Sequence, residues 1–153
     1  MNYLKIQQDI LKTVYNDRTK DRNKINFIDG VHDDRVWVVF DGVLMCGIPT
    51  CLYFLDTEQL LYKMCKAPIS KGLYESMKKG FDSAKRAEFT GTIISAGKQL
   101  NVYKSDDGEA YVDPKLLGYF DSYEQIAIVN RKSPVYAHNE HFELEAVVMP
   151  VNV

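Results

Sequence analysis

No stretch of the sequence is long and apolar enough to cross a bilayer as a helix. Its most hydrophobic runs, such as VWVVF and CLYFL, are a few residues long, against the roughly 20 a spanning helix needs. The N-terminal NYLKIQQDILKTVY carries polar residues throughout and does not read as a signal peptide. There are only three cysteines, an odd number set among apolar neighbours, which points to reduced thiols in a cytoplasmic protein. Three histidines are too few for the multi-histidine metal hydrolases. There is no serine elbow, no phosphate-binding glycine loop and no pair of Cys-x-x-Cys motifs, so the commonest enzyme signatures are missing. No cofactor and no resident metal is indicated. A net charge of −2 lacks the basic excess of a dedicated nucleic-acid binder, though it allows a local basic face.

What is present is apolar and aromatic. The 153 residues are 46% hydrophobic and 26% charged, which fits one domain, residues 1–153, around a single core. Ten tyrosines and seven phenylalanines exceed what such a core requires. Tyr53, Tyr62, Tyr74, Tyr103, Tyr111, Tyr119, Tyr123 and Tyr136 cannot all be buried with satisfied hydroxyls. Exposed members would suit a protein interface, while β-propensity alone would place them on sheet faces.

Periodicity orders the elements. Tyr3, Ile6, Ile10, Leu11 and Val14 predict an N-terminal helix with Lys5, Gln8, Asp9 and Lys12 outward. The polar NDRTKDRNK follows as a loop. INFIDGVHDDRVWVVFDGVLMCGIP reads as strands broken by turns at Asp29-Gly30 and Asp41-Gly42, and TCLYFLD as a further strand. Asp56 with Gln59 forms a capping box for a helix presenting Leu60, Leu61, Met64 and Cys65, closed by Pro68. Ile69, Leu73, Met77 and Phe81 predict a second helix, which Gly72 and Gly80 weaken. Strands EFTGTIISAG, QLNVYKS and EAYV follow. Asp113-Pro114 then starts a short helix in KLLGYF, and EQIAIVN, PVYAH and FELEAVVMPV are the closing strands, turning at NRKS and HNEH. The last has Glu143 and Glu145 on the wet face, then apolar residues on both faces, with Pro150 marking the exit. The expected class is α+β: antiparallel sheets with packed helices.

The order of these strings resembles one domain of the bacterial DNA sliding clamp, the polymerase III β subunit, and best its C-terminal domain. Gly30-Val31 and Asp41-Gly42 match the early hairpin. DPKLLGYF, EQIAIVN, SPVYAH and AVVMPVNV match the final elements in order. The resemblance implies a DNA-clamp-like single domain in which residues 57–86 form a helical insertion. It implies a non-enzymatic role in DNA replication, or in phage or mobile-element DNA metabolism, through self-association or a protein partner. A complete clamp ring has six such domains, so a one-domain chain would need six copies. Met149, Pro150 and Val151 match the segment that lines the family's partner-peptide pocket, with Asn152 where the family usually has arginine. The family's DNA-facing lysines correspond to Lys5, Lys12 and Lys115.

Other candidates come from the residues alone. Lys78, Lys79, Lys85 and Arg86 form the densest basic cluster, interrupted by Glu75, Asp82 and Glu88; any phosphate contact there would be weak and salt-sensitive. His32, Asp33 and Asp34 would suit a small metal-dependent enzyme, but a polar turn between strands explains them better. Cys46 and Cys51 with His138 and His141 make a poor zinc set. An inhibitor mimicking a clamp domain is a further alternative.

Overall fold

The structure is a computed structural model describing residues 1–16 and 24–153. Most of the expected polar loop, residues 17–23 including Asp17, lies outside the described residues. The class is α+β, with every strand pairing within each unit antiparallel. The chain divides into two compact units, Asn2–Glu75 and Ser76–Val153 with Met1. No helix is long and apolar enough to cross a membrane among the described residues.

In the first unit, helix α1 (Tyr3–Val14) is capped by the Asn2 side chain and buries Ile6, Gln7, Ile10 and Val14. Strands β1 (Ile25–His32), β2 (Arg35–Phe40) and β3 (Leu44–Pro49) form a meander. Asp29-Gly30 does not turn the chain, contrary to expectation. It lies inside β1, where the register shifts between Phe27 and Val31. The hairpin closes at Asp33-Asp34 instead, both left-handed at φ 51° and 55°, the conformation a two-residue hairpin loop favours. Asp41-Gly42 is a turn as expected, at φ 52° and 68°.

TCLYFLD is not a strand. Thr50–Leu52 is a 3-10 turn, and Leu52 and Phe54 are exposed. The reason is Gln7, whose buried amide takes the place of a neighbouring strand. Its Nε2 donates to Leu52 O at 3.0 Å and its Oε1 accepts from Phe54 N at 2.8 Å. Helix α2 (Thr57–Met64) has the expected Asp56 cap on Gln59 N and buries Leu60 and Met64; left-handed Cys65 ends it. Helix α3 starts later than expected, spanning Gly72–Asp82, because Ile69 instead bridges Ile28 of β1.

The second unit has strand order β9-β8-β7-β4-β5-β6. The members are β4 (Lys85–Ser95), β5 (Lys98–Ser105), β6 (Gly108–Val112), β7 (Gln125–Ile128), β8 (Val135–His138) and β9 (Leu144–Val148). The KLLGYF helix is a single 3-10 turn, Pro114–Leu117, capped by Asp113. Asn130 and Asn139 organise the two closing turns, each side-chain oxygen accepting two backbone N–H groups. Strand β9 is buried along its whole length and ends before Pro150, as its apolar pattern predicts. Glu145, expected on the wet face, is buried at 7% exposure. It sits where the β8–β9 register shifts, with Ala137 opposite Ala146 and His138 opposite Leu144. A bulge of this kind breaks the two-residue alternation and re-aims a side chain.

Gly80 has a packing role that overrides its low helix propensity. A Cβ there would overlap the Tyr136 hydroxyl and stand 3.0 Å from Tyr136 Cζ. Gly80→Ala is therefore expected to lower stability by about 1–3 kcal/mol despite the better helix former. Combining it with Tyr136→Phe should recover part of that loss in a thermal melt; additive losses would show that the contact is not the cause.

Candidate functional site

The expected cationic positions are mostly at the surface. Lys5 and Lys12 are exposed on α1, and Lys115 is exposed on the 3-10 turn after β6. Lys78 and Lys79 lie in the last turns of α3, and Lys85 and Arg86 open β4. Two of these four are engaged by acids. Lys85 Nζ lies 2.6 Å from Asp107 Oδ2, and that hydrogen bond raises its pKa. Lys78 Nζ is 3.9 Å from Asp82 and 5.3 Å from the Phe81 ring centre. Such surface pairs contribute little stability, but they reduce the local positive field. Lys79 and Arg86 are exposed, as is Lys85.

At the C-terminal end Met149 is exposed, and Pro150 and Val151 are half-buried. Val151 N donates to Tyr111 O of β6 at 2.8 Å. The Arg131 guanidinium lies over the Tyr111 ring and donates to Val153 O. The segment expected to line a peptide pocket is thus held along β6.

His32, Asp33 and Asp34 build the first hairpin turn. The Tyr74 hydroxyl donates to the Asp33 carboxylate, and the Tyr74 ring stacks on His32 at 4.6 Å. His32 Nε2 is 2.8 Å from Asp29 O, and Trp37 Nε1 donates to His32 O at 3.0 Å. These contacts hold a turn in place, as the polar-turn reading expects. The zinc set is divided between the two units. Cys46 is buried in β3 and Cys51 exposed in the 3-10 turn, while His138 is buried in β8 and His141 exposed. Among the described residues no three His, Cys, Asp or Glu side chains gather to hold a metal ion. Of the eight tyrosines singled out, Tyr62 and Tyr123 are fully at the surface, at 86% and 83% exposure, whereas Tyr74 and Tyr136 are buried.

Two features escaped sequence reasoning. The first is the outer part of β4. Its pairing with β7 covers only Lys85, Arg86 and Ala87, while its pairing with β5 runs from Glu88 to Ser95. The hairpin therefore runs well past the short β7, carrying Phe89 and Ile94 at 56% and 80% exposure. Phe89 pairs with Tyr103 across the hairpin, ring centres 5.8 Å apart. The signal was present as the length difference between EFTGTIISAG and EQIAIVN.

The second is an acidic cluster. The Met1 amino group lies 2.6 Å from Asp121 Oδ2 and 2.5 Å from Glu124 Oε1. Burial opposes that ammonium, but hydrogen bonds to Asp121 and Glu124 outweigh it and raise its pKa. The same contact lowers the Asp121 pKa. Glu124 behaves oppositely: burial and a hydrogen bond with Glu145 push its pKa up to about 8. No sequence signal joins Glu124 to Glu145, since β8 lies between their strands.

Comparison of the chain with protein-family models, curated proteins and solved structures finds no match.

The turn geometry yields a test at Asp33. Asn tolerates the left-handed conformation and keeps an acceptor for Tyr74, so Asp33→Asn should change stability by under about 1 kcal/mol. A β-branched residue is strained there, and Asp33→Val should cost about 1–3 kcal/mol in chemical denaturation. Equal losses would remove the turn's conformation as the explanation.

Proposed function

We propose that the protein is a non-enzymatic binding module that acts by self-association through its outer β4–β5 hairpin. The observation that carries this reading is the length of β4 lying beyond β7, with Phe89 and Ile94 exposed beside it. An extended strand edge offers backbone donors and acceptors to a further strand, and exposed apolar side chains add burial on association. Antiparallel pairing of two such edges about Gly91-Thr92 would set Phe89 against Ile94 of a second copy.

A clamp-like role in DNA replication, or in phage or mobile-element DNA metabolism, rests on the sequence resemblance. The exposed Lys79 and Arg86 are compatible with weak phosphate contact in that setting.

Light scattering after size exclusion tests the reading. The native chain should show a concentration-dependent mass above the 17.6 kDa of one copy. Ile94→Lys and Thr92→Pro should each return it to a single copy without unfolding it. A native chain that stays at one copy across concentrations overturns the proposal.

A further inference from the structure

Glu124 is held in a position that an ionised carboxylate does not favour. Its side chain is 4% exposed, and Oε2 is buried with no hydrogen-bond donor reaching it among the described residues. The side chain it meets is that of Glu145, brought inward by the bulge of β9 and itself 7% exposed. Two ionised carboxylates can only accept hydrogen bonds. A proton on Glu124 turns one of its oxygens into a donor that Glu145 accepts, which satisfies both buried groups. The other groups facing the site are Asp121, from the turn ahead of β7, and the Met1 ammonium on Glu124 Oε1. The imidazole of β8, His138, is engaged elsewhere, packed on Phe81 and Phe142.

We propose that Glu124 and Glu145 form a proton-binding site that latches strand β9 to the turn ahead of β7, so that the bound proton holds them together and its release loosens them. Ionisation of Glu124 would leave two buried carboxylates, Glu124 and Glu145, beside a single ammonium that the more exposed Asp121 also engages.

The direction with pH follows by linkage. The folded pKa of Glu124, about 8, lies above its ordinary value of 4.5. Its contribution to stability is therefore complete below about pH 4.5, declines as the pH rises above that value, and is lost on passing pH 8. The Met1 amine, raised above 8.0, keeps its charge over most of that window.

Thermal melts from pH 5 to 9 of the native chain, Glu124→Gln and Glu145→Gln test the latch. Gln at position 124 mimics the protonated carboxyl, so the difference between native and Glu124→Gln melting temperatures should shift by several degrees toward the variant as pH rises. Carbon-13 NMR of the native carboxyls should show one glutamate titrating near pH 8, and Glu145→Gln should move that titration toward the ordinary range. The NMR arm stands if a variant fails to fold. Parallel melting profiles, or the absence of a high-titrating glutamate, overturn the proposal.

Discussion

The strand pairings rest on a backbone constraint at the hairpin turns. Asp33-Asp34, Asp41-Gly42 and Ala96-Gly97 each place two successive residues at positive φ. That conformation matches the right-handed twist of the flanking strands and fixes which residues stand opposite one another. Register in turn decides which side chains face inward, because a slip of one residue would exchange the two faces. The Asp33-Asp34 turn puts His32 opposite Arg35, and the successive burial of Val36, Trp37 and Val38 shows that both faces of β2 are covered.

Much of this organisation was legible in the sequence. The order of helices and strands, the cap at Asp56, the turns at Asn130 and Asn139 and the strand stop before Pro150 follow from local chemistry and periodicity. The misreadings share a cause: a distant partner replaced the local rule. CLYFL is apolar enough for a strand, yet the Gln7 amide supplies the hydrogen bonds a neighbouring strand would have given. Asp29-Gly30 has turn composition but serves as an irregularity within β1. Glu145 obeys period two on paper and escapes it through the register shift. Gly80 reads as a weak helix residue until the Tyr136 hydroxyl is seen above it.

The candidate surface was legible only in part. Lysine positions on α1 and α3 follow from helical spacing, but their electrostatic setting does not. Asp107 reaches Lys85 from the next hairpin turn, and Asp82 reaches Lys78 one helical turn away. The first is invisible to local counting and the second is ordinary helix chemistry. The cluster is therefore less positive than its composition suggests. The acidic pair shows the same limit in reverse: two unremarkable glutamates become unusual only because sheet order and a bulge bring them into one dry place.

Strand β4 changes its pairing partner along its length. Among the described residues its backbone pairs with β7 from Lys85 to Ala87 and with β5 from Glu88 to Ser95. One continuous strand thus joins two separate ladders, which can open independently with the boundary falling near Glu88. Local opening of the outer hairpin would leave the rest of the sheet closed.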